Sequence, residues 1–166
     1  MKNKILTVFF IALSIPLRAQ FLKAELEVNG FTCSMCALST QKSLNTLGFI
    51  QDIKPDIGKN LYFLQFKSGS EVNLDALKTK VKASGFSVGK LVALFHFEKP
   101  IKGSDFDYQG NTYHIEKYDQ RELKGDIRFQ IIDKDFLSPK TFKSFNIPML
   151  EPGTLKTRKL YHLIIA

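Results

Sequence analysis

Polar and apolar positions alternate over residues 24–29 (AELEVN), which predicts a strand. The spacing changes at 36–47 (CALSTQKSLNTL). Leu44 and Leu47 lie three apart, with Ala37 and Thr40 on the preceding turns, which predicts a helix. Thr32 or Ser34 supplies a candidate N-cap and Gly48 a stop. FIQDIK (49–54) predicts a short strand, and Pro55, which lacks a backbone N–H, belongs on an edge or at a strand end. Residues 57–60 form a turn and LYFLQFK (61–67) the next strand. LDALKTKVKAS (74–84) carries its apolar stripe on Leu74, Leu77 and Val81, between Asn73 as N-cap and Gly85 as C-terminal glycine. A further strand starts at Phe86. Strand, helix, strand, strand, helix, strand within about 70 residues is the split βαβ, or ferredoxin-like, order.

The pattern after residue 91 is different. VALFHFE (92–98), TYHIEKY (112–118), IRFQII (127–132) and the closing KLYHLIIA read as strands, punctuated by Gly103, Gly110 and Gly125. Ser138-Pro139 reads as the N-cap and first position of a short helix, PKTFKSF. The expected fold class is α+β: a ferredoxin-like βαββαβ domain over 20–91, then a small β-rich C-terminal domain over 92–166, built as a five-stranded barrel or sandwich. The stretch 86–98 reads equally as one long strand shared by both.

The first 19 residues read as a signal peptide. Lys2 and Lys4 precede an apolar run from Ile5 to Leu17, broken by Pro16, and Leu17-Arg18-Ala19 offers cleavage before Gln20. The run is shorter than the roughly 20 residues of a membrane-spanning helix, and no later stretch is longer. The expectation is an exported, periplasmic or secreted protein with no transmembrane segment after cleavage. Loss of Lys2, Lys4 and Arg18 takes the net charge from +8 to +5. That mild excess, with no dense Lys/Arg stripe, argues against a nucleic-acid partner. The composition holds fifteen Phe and no Trp, so the core is expected to be built on Phe.

Only two cysteines occur, Cys33 and Cys36, at the junction between the first strand and the first helix. The N–H groups and partial positive charge of a helix N-terminus favour thiolates there. Two thiolates without a nearby His or carboxylate suit a soft ion that accepts two ligands, such as Cu(I) or Hg(II); Zn(II) prefers four. The same pair also reads as a disulfide in an oxidising compartment or as a redox couple. A structural bridge closing so short a loop adds little stability.

Gly30-Phe31-Thr32-Cys33-Ser34-Met35-Cys36-Ala37 resembles the Gly-Met-Thr-Cys-x-x-Cys-Ala loop of heavy-metal-associated domains, the modules of copper chaperones, copper-ATPase N-termini and periplasmic mercury-binding proteins. Leu44, Leu47, Ile50, Ile53 and Ser84-Gly85-Phe86 extend the likeness over about residues 22–91. The resemblance implies a βαββαβ fold with Cys33 and Cys36 as metal ligands. Cu(I) is the expected ion, with Hg(II) and Zn(II) as alternatives, and the ion passes to or from a metal-donor or metal-acceptor protein in the envelope. It implies that Thr32 supports the loop, that Phe31 stands where a Met is usual, and that Phe86 packs under the site. A protein-interaction module without metal transfer and a thiol–disulfide redox protein are the other readings. Thr40 and Ser43 occupy positions where apolar residues are common, so the first helix is expected to bury less apolar area. Met35 is a candidate thioether ligand. His96, His114 and His162 are far apart in sequence and read as strand residues. Asp105 and Asp107 read as a solvated turn, and Asp133 and Asp135 as ordinary strand-end residues. No nucleophile–base pair or phosphate-binding loop stands out, so no enzymatic activity is expected.

Overall fold

The computed structural model describes residues 20–30, 33–147 and 158–166. The leader, Phe31 and Thr32 lie outside the described residues. Strand β1 (Gln20–Asn29) is followed by helix α1 (Ser34–Asn45), β2 (Ile50–Asp56), β3 (Leu61–Phe66), helix α2 (Leu74–Ala83) and β4 (Ser87–Ile101). The first half of the sheet runs β2-β3-β1-β4 with antiparallel neighbours throughout, the ferredoxin-like order. β1 starts four residues earlier than its alternation suggested. α1 starts two residues earlier, because Cys33, and not Thr32 or Ser34, stands at the N-cap. Pro55 pairs with Tyr62 on β2, which forms one edge of the sheet, where a missing N–H leaves no ladder bond broken. Asn73 caps α2 by accepting the Ala76 N–H at 2.9 Å.

The long strand β4 carries the chain from one region to the next. Its first half pairs with β1, and on its other side it pairs with β7 (Leu123–Ile131). The boundary expected between 91 and 92 falls inside it. β5 (Asp105–Tyr108), β6 (Asn111–Ile115) and β8 (Leu160–Ile165) complete a β-rich second region, with helix α3 (Pro139–Ser144) between β7 and β8. The whole sheet has eight strands in the order β2-β3-β1-β4-β7-β8-β6-β5, and β6 and β8 run parallel.

The second region is rolled. Four strand steps separate β4 from β5, about 19 Å on a flat sheet at the usual spacing. Yet the rings of Phe95 on β4 and Phe106 on β5 have centroids 5.4 Å apart, and those of Phe97 and Phe106 are 5.2 Å apart. The sheet therefore curls until its far edge faces β4, an open five-stranded barrel with aromatic rings inside. Phe95, Phe97, Phe106, Tyr113 and Phe129 meet edge-on, tilted or stacked in that interior. The β4–β7 register breaks between Phe97 and Ile101, beside Gly125, whose φ of +71° a side-chain-bearing residue adopts only with strain. That irregularity sits where the sheet has to bend. Phe95 also packs on Phe21 at 4.3 Å, and Phe21 on Phe66 at 5.2 Å, so the barrel interior and the core under the helices are continuous.

Helix α2 is tied to the second region by charge. Asp75 receives the ammonium groups of Lys78 (3.0 Å) and Lys159 and the Tyr161 hydroxyl (3.3 Å). Asp135, after β7, pairs with Lys82 at 3.0 Å, and the Lys78 ammonium stands 5.1 Å over the Phe136 ring. The turn after β5 grips the segment before α2: Gln109 accepts from the Val72 N–H at 2.8 Å and donates to the Ser70 carbonyl at 2.6 Å. No helix among the described residues is long and apolar enough to cross a membrane.

Candidate metal centre

Cys33 closes the loop from β1 and occupies the N-cap of α1 in extended backbone (φ −154°, ψ 159°). Cys36 lies one turn into the helix, and the two Sγ atoms are 2.7 Å apart. They are not joined in a disulfide. Cys33 is exposed and Cys36 half-buried, so both can be reached from solvent. The Cys36 thiol holds the Cys33 thiol below its ordinary value, aided by the N–H of Cys36, against a smaller upward push from burial; the Met35 N–H adds to the lowering. These N–H groups bias the charge of the sulfur without closing a capping hydrogen bond. The first turn of α1 contains no acidic residue, so no carboxylate competes for the positive end of the helix dipole.

The packing beneath fixes the helix start and leaves its tip free. Tyr62, second residue of β3, donates its hydroxyl proton to the Ala37 carbonyl at 2.8 Å, in a buried position. Burial pushes the Tyr62 phenol up to about 12, with the Thr40 hydroxyl opposing, so it remains a donor at neutral pH. Thr40 is fully buried, and Ser43 donates to the Lys80 carbonyl of α2 at 3.2 Å. Of these two polar positions of α1, Ser43 trades apolar area for a bond to α2. Gly30, with φ +104°, sits against Phe86; a Cβ there would come within 3.2 Å of the ring. Phe86 therefore packs behind the loop, as the resemblance implied. Phe31 and Thr32 are outside the described residues, so their expected roles are not located.

Met35, between the two cysteines, is 70% exposed, and Leu38 further along α1 is 41% exposed. Among the described residues, no three His, Cys, Asp or Glu groups converge to hold a metal ion. The cysteine pair fits a soft ion of low coordination number better than Zn(II). With metal–sulfur bonds of about 2.3 Å, the zinc–thiolate length, a linear arrangement places sulfurs roughly 4.6 Å apart. That is wider than the separation of the two sulfurs here.

The remaining candidates lie elsewhere. Asp105 and Asp107 are on the outer face of β5, not in a turn. Asp105 bonds to His114 at 2.7 Å and Asp107 to Thr112 at 2.7 Å. Asp133 bonds to the ring of His162 at 2.8 Å and to its backbone N–H at 2.8 Å. His96 stands apart, bonded to Asp126 at 2.6 Å. Tyr62 is the site residue that the sequence reading missed. An alternating strand marks it as core, and nothing local shows that its hydroxyl reaches α1.

No protein-family model matches the chain, and no curated protein does. Several solved structures are similar to part of the chain at low identity. A structure described as CopZ metallochaperone is 20% identical, covers 40% of this chain and 97% of its own, with a TM-score of 0.37. The yeast copper transporter domain Ccc2a, solved in apo and Cu(I)-loaded states, is 24% identical over 40% of this chain and 90% of its own, with a TM-score of 0.36. The N-terminal domain of a potential copper-translocating P-type ATPase from Bacillus subtilis, in the Cu(I)-loaded state, is 23% identical over 42% of this chain and 85% of its own, with a TM-score of 0.37.

Proposed function

We propose that this chain is an exported, non-enzymatic soft-metal carrier that captures or hands over Cu(I) through Cys33 and Cys36. The observation that carries the reading is the pair of sulfurs, 2.7 Å apart and reachable, at the N-terminus of a helix whose first turn carries no acid. A helix N-terminus stabilises the thiolates, and thiolates prefer soft ions. An exposed two-coordinate ion is open to a third thiolate from a partner, so transfer proceeds by ligand exchange without a free-ion intermediate. Met35, between the cysteines and exposed, gives that partner an apolar contact. In an oxidising compartment the pair has to be reduced before it loads, since binding requires both sulfurs as thiolates.

Anaerobic titration of the reduced protein with Cu(I) against a competing chelator tests the reading. One Cu(I) per chain is expected, with loss of tight binding in the Cys33→Ser/Cys36→Ser variant. Tight binding retained by that variant, or no Cu(I) bound by the reduced wild type, would overturn it. The thiol–disulfide reading instead requires reversible two-electron chemistry and disulfide-reductase activity in the absence of metal.

A further inference from the structure

His114 on β6 and His162 on β8 are 48 residues apart in sequence but face each other across the parallel β6–β8 ladder. Their ring centroids are 6.1 Å apart, with planes at 71°. Both have Nδ1 taken by a carboxylate: Asp105 Oδ1 at 2.7 Å from His114 and Asp133 Oδ1 at 2.8 Å from His162. Asp105 is itself held by Ser104 Oγ at 2.8 Å, and Asp133 by the His162 backbone N–H. A neutral imidazole that donates its Nδ1 proton to a carboxylate presents its lone pair at Nε2. Glu116, two residues beyond His114, brings Oε1 to 4.0 Å from His114 Nε2.

The strand pattern explains the placement. Tyr113 and Ile115 are buried in the barrel, so His114 between them points to its outer face. His162 is only 7% exposed and its ring is fixed, whereas His114 is about one-third exposed and offers an approach from solvent. A carboxylate behind each imidazole is the outer-shell arrangement that orients histidine ligands and raises their basicity.

We propose that His114 and His162 form a second metal site, which takes a borderline divalent ion through their Nε2 atoms, with Glu116 as a third ligand and water completing the shell. Imidazole and carboxylate donors suit Cu(II), Ni(II) and Zn(II), and Cu(II) binds tightest in that series. No three such groups converge as they stand among the described residues, so the shell forms by rotation of the more exposed His114 and Glu116 side chains toward the His162 ring. The site is independent of the cysteine pair in position and in donor chemistry: nitrogen and oxygen ligands on the barrel, against sulfur on the ferredoxin-like region. One chain would thus carry separate places for the soft and the borderline class of ion.

The test uses the full chain with Cys33→Ser and Cys36→Ser, so the thiolates contribute nothing. Cu(II) is titrated in a non-coordinating buffer by calorimetry, and the bound ion is examined by electron paramagnetic resonance. One Cu(II) per chain with nitrogen hyperfine structure is expected. His114→Gln, at a surface position that keeps the fold, should abolish binding, and Asp105→Asn should weaken it about tenfold. His96→Gln should leave it unchanged. Circular dichroism confirms that each variant is folded. No Cu(II) bound by the Cys-free chain, or binding that survives His114→Gln, would overturn the site. So would equal loss in His96→Gln.

Discussion

The hydroxyl of Tyr62, near the start of β3, holds the carbonyl of Ala37, the residue directly after Cys36. This buried bond joins the rigid sheet to the first turn of α1, so the helix start is set by the sheet while Cys33 remains at the surface. Tyr62→Phe removes the bond and keeps the ring. We expect a loss of about 1 kcal/mol in urea unfolding and weaker Cu(I) binding, because the second sulfur is then less well placed. Unchanged stability would show that the bond does not anchor the helix.

Gly30 and Phe86 make the second contact behind the loop. Gly30→Ala adds a Cβ at 3.2 Å from the Phe86 ring in a backbone of φ +104°. Both effects are unfavourable, and a destabilisation on the order of 1–2 kcal/mol is expected by chemical denaturation. The paired variant Gly30→Ala/Phe86→Ala relieves the contact and leaves the backbone strain. Its cost relative to Phe86→Ala alone should therefore be smaller than that of Gly30→Ala in the wild type.

Phe95 belongs to both cores, packing on Phe21 below the helices and on Phe106, Tyr113 and Phe129 in the barrel. Phe95→Ala is expected to cost about 3–5 kcal/mol. Near-ultraviolet signals from tyrosines of the two regions, Tyr62 and Tyr113, should fall together in a single unfolding transition. Two separated transitions would show that β4 does not couple the regions.

Asp75 sets an acid limit on the contact between α2 and the second region. Burial pushes its carboxyl up, but the hydrogen bonds and charges of Lys159 and Lys78 outweigh that, and the net shift is downward. A carboxylate whose folded-state value lies below its unfolded value stabilises the protein above the unfolded value, near pH 4. That contribution is lost as the pH falls through the folded value. Asp75→Asn should lower stability at pH 7 by roughly 1 kcal/mol, given its partial exposure, and flatten the acid limb of the stability profile. An unchanged acid limb would place the titrating group elsewhere.

How far the structure was legible in the sequence depends on the range of the interactions. The ferredoxin-like half is written in local signals: the Leu74, Leu77, Val81 stripe between Asn73 and Gly85, and the alternation of β1 and β3. The cysteine pair is equally local, since a strand-to-helix junction places its sulfurs together. DFDY, which forms β5, alternates cleanly but is four residues long between turn signals and reads as part of a turn. The second region reads as a five-stranded barrel or sandwich, and local signals leave that choice open, because closure depends on β8 inserting between β7 and β6 and on the bend at Gly125. The same long-range pairing joins His114 to His162, two residues that look unrelated along the chain.

The central claim is that Cys33 and Cys36 together bind a soft ion as a two-sulfur centre. X-ray absorption at the copper edge of the reduced, Cu(I)-loaded chain in thiol-free buffer tests it most directly. The account predicts a first shell of two sulfurs with no nitrogen or oxygen, lost in the Cys33→Ser/Cys36→Ser variant. A first shell dominated by nitrogen or oxygen, or one that the double variant leaves intact, would contradict it.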